Sequence, residues 1–419
     1  MERAPAAPAG FSLRRSWMVI GVVFVQWLIG YVDKSAMSVI AVPVSREFGF
    51  NPGEMGLVLS AFFLGFAIMT PFGGYLADRY GARRVLLVIM VLWSVFTGLT
   101  ALSWSLVSLI VLRAIFGAAE GSFPPASSVA VAELLPNRQR GRAKSLLMSG
   151  GTLGTAFGAY LVASLTEAWG WRAGFWIFCV IGLLLSIVFL YVSRPMTGPG
   201  TARAAGVERV PVEKILSTPL VWKLAIMQFG VGIFVWGMNQ WMPTYWVEVK
   251  GLNLATAGLA TAIPNLVAFV AMIGVGFAAD RFARREGRIV AGLMAVAILF
   301  IYLTYVASTV VTGVVFLSVA QVATSACAPL LSIVILKRMR RVVTGTATGI
   351  ANFGQQFAGV IAPAVMGAMI QATGSYAAVF GLVMGVMAVA LLVGLTADRE
   401  DLGDIAQDDT SVPATPGQV

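Results

Sequence analysis

Apolar stretches of about twenty residues recur along the whole chain, and no other feature restricts its possible folds so severely. A helix needs about 20 apolar residues to cross the hydrocarbon core of a bilayer, and lipid offers an unpaired backbone no hydrogen-bond partner. Twelve such stretches are read near residues 17–42, 55–77, 85–102, 105–132, 143–165, 174–193, 220–247, 256–279, 289–307, 310–336, 343–371 and 376–396. Only 11% of the 419 residues are charged, less than half the roughly 25% of an ordinary soluble domain. The expected fold class is an all-α integral membrane protein with twelve transmembrane helices.

Lys and Arg placement sets the orientation, because short cytoplasmic loops collect positive charge. Of the 29 Lys and Arg residues, Arg46, Arg172 and Lys250 fall in the loops of one face, and Lys34 and Arg113 fall inside spans. All the others fall on the second face, which carries both termini and is read as cytoplasmic. The net charge of +10 is therefore an orientation signal, and no nucleic-acid partner is expected. The first apolar segment is too long for the core of a signal peptide and contains Asp33 and Lys34, so it is read as a span. The chain has no His, and Cys179 and Cys327 lie in different spans without metal-ligand spacing; neither a cofactor nor a metal is expected.

The longest polar interruption runs from Arg194 to Pro219 and holds Pro195, Pro199, Pro211 and Pro219. It divides the chain into residues 1–15, a cytoplasmic tail; 16–194, a six-helix bundle; 195–219, a cytoplasmic linker; 220–397, a second six-helix bundle; and 398–419, an acidic tail expected to be disordered. A repeat supports the division: Gly74-Tyr75-Leu76-Ala77-Asp78-Arg79 is echoed by Gly276-Phe277-Ala278-Ala279-Asp280-Arg281, each after the second helix of its half.

Four charges sit deep inside spans of the first half: Asp33, Lys34, Arg113 and Glu120. A charge at the centre of a membrane helix costs roughly 2.5–3.5 kcal/mol on insertion scales, so these four point to function. Arg113 and Glu120 are seven residues apart and share a helix face, whereas the neighbours Asp33 and Lys34 point about 100° apart. The competing reading is a pair of buried ion pairs that only fix packing, which rarely pays in stability. The second half offers neutral amides instead: Asn239, Gln240, Asn265, Gln321, Asn352, Gln355 and Gln356. These either line a cavity or bond helix to helix. Gly150-Gly151-x-x-Gly154-x-x-x-Gly158 allows close helix approach.

The twelve spans, the central loop and the G-x-L-A-D-R-x-G-x-R-R run from Gly74 to Arg84 resemble the major facilitator superfamily. Tyr31-Val32-Asp33-Lys34 and Arg113-x-x-x-Gly117-x-x-Glu120-Gly121-x-x-x-Pro125 are similar to its anion:cation symporter family. That family's first helix reads Asn-Tyr-x-Asp-Arg, so Gly30 and Lys34 are departures; a lysine is a point charge without the bidentate fork of arginine. The resemblance implies two pseudo-symmetric six-helix bundles and proton-coupled symport of a sugar acid or small carboxylate, with Asp33 and Glu120 as protonation sites. It implies Lys34 as substrate anchor and Arg113 as the partner of Glu120. Tyr31, Asn352 and Gln356 become cavity residues that contact substrate. A cytoplasmic gate would be built from Gly74, Asp78, Arg79 and Arg83, with Asp280 and Arg281 in the second copy.

Charge balance is consistent with symport, since an anion bound beside Lys34 favours proton uptake by the nearby carboxylates, and linkage requires the converse. The expected partners are a small organic anion, protons and membrane lipid, with sodium in place of the proton left open; a monomer in a cell membrane, taken as a bacterial inner membrane, is expected. Two rivals stand beside this expectation. One is a proton antiporter exporting hydrophobic or cationic compounds, which has less need of Lys34 and Arg113; the superfamily's drug antiporters carry a Gly-Pro motif on the fifth helix that is missing here. The other is a permease-like sensor that binds without transport. An enzyme is not expected, for want of a nucleophile–base motif.

Overall fold

A computed structural model describes residues 13–194, 196, 212–278, 286–339 and 341–397. All twelve expected spans are present, as α1 (Leu13–Val39), α2 (Pro52–Ala77), α3 (Ala82–Ala101), α4 (Leu106–Leu134), α5 (Gln139–Trp169), α6 (Trp171–Val192), α7 (Pro219–Glu248), α8 (Leu254–Met272), α9 (Gly287–Val306), α10 (Val310–Ser332), α11 (Thr346–Thr373) and α12 (Ala377–Ala397). The chain is a multi-pass membrane protein. Most of the expected 195–219 linker and the 398–419 tail lie outside the described residues. Within the linker, Val212–Leu216 forms a short helix that buries Ile215, and Leu13–Arg15 of the expected tail belong to α1.

The two halves use one packing scheme. In the first half α1 packs on α5, α2 on α4, and α3 on both α4 and α6; in the second α7 packs on α11, α8 on α10, and α9 on both α10 and α12. Each contact thus recurs six helices later. The contacts between halves obey the same rule, with α2 on α11 and α8 on α5. Small residues make these approaches possible. A Cβ on Gly258 of α8 would meet the Ala159 carbonyl of α5 at 2.7 Å, and a Cβ on Gly56 of α2 would meet the Pro363 carbonyl of α11 at 2.6 Å. On the same level Ala364 donates its backbone N–H to Ser60 Oγ at 3.0 Å. These contacts seal the halves together on the face opposite the termini.

Side chains turned away from the core are apolar, as lipid requires: Val180, Leu184 and Ile187 on α6, and Val389, Leu392 and Leu395 on α12, are exposed. Exposed Trp104 and Trp169 mark one end of the apolar band, and Tyr80, Tyr191 and Trp222 the other, where amphipathic rings favour the headgroup region.

Local chemistry explains the element ends. Asn51 and Glu54 form a reciprocal capping box of two 2.9 Å bonds around Pro52 at the start of α2. Gly81 has φ +85 at the turn between α2 and α3, a conformation that glycine adopts without penalty. Two spans depart from a regular α-helix. Helix α4 is broken between Gly121 and Phe123, because Pro124 and Pro125 lack the N–H groups that would continue the ladder. Helix α7 contains a π-helical segment, Ile233–Met238.

Candidate functional site

The four intramembrane charges are all buried, with 1% of Asp33, 4% of Lys34, 1% of Arg113 and 5% of Glu120 exposed. They face different neighbours and form no ion pair with one another. No direct ion pair therefore fixes their packing in this arrangement, although Lys34 and Glu120, and Asp33 and Arg113, still feel each other's charge. Asp33 points from α1 to α3, where Thr97 Oγ1 and Trp93 Nε1 (3.3 Å) both donate to its Oδ2, while Oδ1 has no partner. Gly30 accounts for the indole's position, since a Cβ there would run into the ring of Trp93. Where the symporter pattern has Asn this chain has Gly30, packed against a tryptophan whose N–H reaches the carboxylate.

Lys34 points to a different side, into a cage of five rings. Its Nζ lies 5.2 Å from the ring centroid of Tyr31, 5.0 Å from Phe62, 5.2 Å from Phe63, 4.5 Å from Phe66 and 4.1 Å from Trp236. Trp236 alone among these comes from the second half, on α7. Each ring is worth about 0.5–2 kcal/mol, which offsets part of a desolvation penalty of several kcal/mol. The ammonium makes no ion pair with Asp33, Arg113 or Glu120.

The glycines of the α4 motif explain how the cage is assembled. A Cβ on Gly117 would strike the Phe62 carbonyl, one on Gly121 the Phe66 carbonyl, and one on Gly65 the Ala114 carbonyl. Removing these side chains brings α2 flush onto α4 at the turns that carry Phe62 and Phe66. Arg113 then lies 5.2 Å from the Phe62 ring and 4.8 Å from the Phe116 ring, with Nε and Nη1 unpartnered. Phe62 therefore stands against both cations. Glu120 Oε2 is also unpartnered, and the carboxylate lines a small recess with Trp27, Tyr31, Phe66, Trp93, Phe123 and Pro124. A larger groove of about 460 Å³ between α2, α3 and α4 is lined by side chains such as Val88, Leu92, Phe96 and Ile115; it is suited to acyl chains, away from the charges.

Tyr31 is held by Trp27, which stacks on it at 6.3 Å, and by α5, where a Cβ on Gly151 would approach its ring to 2.9 Å. The α5 glycine run thus packs on α1 as the sequence indicates. In the second half most of the amides bond to one another. Asn239 donates to Gln321 at 3.3 Å, Gln321 to Asn265 at 3.2 Å, and Gln228 to Asn352 at 3.4 Å. Gln356 is half-buried and its Oε1 is unpartnered.

At the turn between α2 and α3, Arg79 donates to the Tyr75 hydroxyl at 2.8 Å and Arg83 to Ser193 Oγ at 3.1 Å, both within the first half. Gly74 sits 3.5 Å from Pro125 by the position its Cβ would take. The side chain of Asp78, and Asp280 and Arg281 entirely, lie outside the described residues.

Trp93, Thr97 and Trp236 were not among the residues singled out from sequence. A polar pair four residues apart on α3 was a usable signal for Trp93 and Thr97; for Trp236 there was none. Phe62, Phe63 and Phe66 were not singled out from sequence either.

Comparison with known proteins bears on the chemistry. A hexuronate transporter of Bacillus subtilis is 28% identical over 414 residues, covering 95% of this chain and 98% of the relative. A D-galactonate transporter of Escherichia coli is 27% identical over 427 residues, 91% of this chain and 96% of the relative. Among solved structures, a bacterial homologue of the human lysosomal transporter Spinster, inward-facing and occupied, superposes with a TM-score of 0.78 at 17% identity, over 95% of this chain and 100% of that one. It shares the fold. The sequence pattern of the Major Facilitator Superfamily matches residues 22–363 and again 256–410. With that match over most of its length, and sugar-acid transporters among its relatives over nearly the full length, the chain belongs to the major facilitator superfamily.

Proposed function

We propose that the protein is a secondary transporter that couples uptake of an organic anion, a hexuronate-like sugar acid or small carboxylate, to protons by alternating access. The observation that carries this is the Lys34 ammonium, which has no ion-pair partner among the other three buried charges and is surrounded by rings from both halves. Relatives transporting hexuronate and galactonate support an acidic substrate. Asp33 and Glu120 are the proton carriers on this view, because each has an unpartnered oxygen. Arg113 is the charge partner of Glu120, and Tyr31, Gln356 and Asn352 border the substrate. Twenty-four positive charges on one face against three on the other favour a cell membrane with cytoplasmic termini. The 195–219 segment then links the two bundles in the cytoplasm, and Gly74, Asp78, Arg79, Arg83, Asp280 and Arg281 serve as the gate on that side.

Purified protein in liposomes, loaded against a D-glucuronate panel that includes D-galactonate and acetate, tests this. Acid outside should drive accumulation. Asp33→Asn and Glu120→Gln should lose proton-driven accumulation while retaining counterflow exchange, and Lys34→Met should lose both. Efflux driven by the same gradient would instead indicate antiport, and accumulation undiminished in both carboxylate variants would refute the coupling roles.

A further inference from the structure

Trp236 occupies an unusual position for a neutral side chain. It projects from the second half, its ring centroid lies 4.1 Å from Lys34 Nζ and 5.3 Å from the Phe63 ring, and its indole Nε1 is buried without an acceptor. A buried donor left without an acceptor forfeits its hydrogen bond to water and gains none in return. The backbone beneath it is also irregular, since residue 236 is at the centre of the π-helical segment Ile233–Met238, and such segments are frequent at functional sites.

The surroundings show how that segment is held. A Cβ on Gly232 would meet the Gln355 carbonyl at 2.6 Å, and one on Gly237 would meet Met366 Cε at 2.6 Å and Ala362 Cβ at 2.7 Å. The glycine positions therefore press α7 onto α11, and Trp236 between them reaches the first half. Immediately after the segment, Asn239 is tied to Gln321. The π turn is thus fixed behind and at one end, while its indole faces the cation.

Resting on Lys34 as the anion anchor, we propose that Trp236 is a second anion-contacting residue, supplied by the second half. In this structure its ring covers the ammonium. A bound carboxylate takes the ring's place beside Lys34 and accepts the indole N–H, so one anion is held by a cation on α1 and a donor on α7. Substrate then joins the two halves through a bond that replaces this cation–π contact. Both the loaded and the empty carrier keep the halves engaged, as a symport cycle needs for its loaded and return steps.

The test is D-glucuronate binding to the purified full-length protein and its Trp236→Phe and Trp236→Leu variants, read by calorimetry and by tryptophan fluorescence. Trp236→Phe keeps a ring over Lys34 and removes the N–H. It should weaken D-glucuronate binding roughly tenfold to a hundredfold, the range for a hydrogen bond to a charged group, with an unchanged melting temperature. The fluorescence change on adding D-glucuronate should disappear in the same variant, an effect that a packing role alone would not produce. Trp236→Leu should weaken binding at least as much. If wild type binds D-glucuronate in a Lys34-dependent way and Trp236→Phe binds within about twofold of it, the inference is overturned and the anchor stands. If wild type shows no Lys34-dependent binding of D-glucuronate, D-galactonate or acetate, the anchor falls and Trp236 with it.

Discussion

Ser60 Oγ accepts the backbone N–H of Ala364 at 3.0 Å, so a hydroxyl on α2 is bonded to the backbone of α11 beside Pro363. This bond crosses between the halves on the face opposite the termini, where Gly56 and Gly367 also bring the two backbones together. Closure of that face therefore rests on groups that have no room to yield.

Gly56→Val tests that seal. A Cβ at position 56 would meet the Pro363 carbonyl at 2.6 Å, Ala364 Cα at 3.1 Å and Gly367 Cα at 3.3 Å, all backbone atoms. The variant should expose a cysteine placed at Ser60, raising its maleimide labelling rate severalfold. The background is low, since both natural cysteines, Cys179 and Cys327, are buried. An unaltered labelling rate would show that the seal does not depend on glycine at this position.

Gly30 and Trp93 should behave as a coupled pair. Gly30→Asn, which restores the residue of the symporter pattern, drives a side chain into the Trp93 ring. Overpacking of this kind costs about 1–3 kcal/mol. The melting temperature in detergent should fall for Gly30→Asn and recover at least in part when Trp93→Ala is added. No recovery in the double variant would place the conflict elsewhere.

Thr97→Val removes one of two side-chain donors to Asp33. Leaving a buried acceptor short of a partner costs about 1–3 kcal/mol. In an Asp33→Leu background the same change should be close to neutral, because the acceptor is gone. A double-mutant cycle on thermal stability measures the difference, and equal effects in both backgrounds would dissolve the link.

Glu47 lies outside the spans, in the short helix Ala41–Phe48. Trp171 Nε1 donates to it at 2.7 Å and Arg172 pairs with it at 2.6 Å, which together hold its carboxyl below the ordinary glutamate range despite an opposing contribution from partial burial. A carboxylate lowered in this way contributes stability above the unfolded-state value and loses it as pH falls through the folded-state value. Both partners of the ion pair are 40% exposed, so the contribution is at most about 1 kcal/mol. Glu47→Gln should be less stable than wild type at pH 7, with the two melting curves converging below about pH 4. A gap that persists at pH 3 would point to lost packing in place of charge.

Much of the site was legible in the chain for one reason: a charge inside an apolar span is costly enough to stand out alone. Asp33, Lys34, Arg113 and Glu120 are all buried between helices, and the Gly117 and Gly121 spacing marks where α2 meets α4. The amides were less legible. Asn239, Gln321 and Asn265 bond mainly to one another across α7, α10 and α8, and a polar residue facing a neighbouring helix has the same sequence signature as one facing a cavity.

The sequence by itself determined the twelve spans, the sidedness of the charge and the repeat of six helices, because lipid imposes a length and polarity rule that each segment obeys without reference to the others. Tertiary structure decided what each charge faces. Lys34 meets Phe62, Phe63 and Phe66 of α2 and Trp236 of α7, and Asp33 meets Trp93 and Thr97 of α3. Those partners lie tens to hundreds of residues away and follow no periodicity. They were chosen by how closely glycine-lined helices pack, which a local pattern of apolar and polar residues does not record.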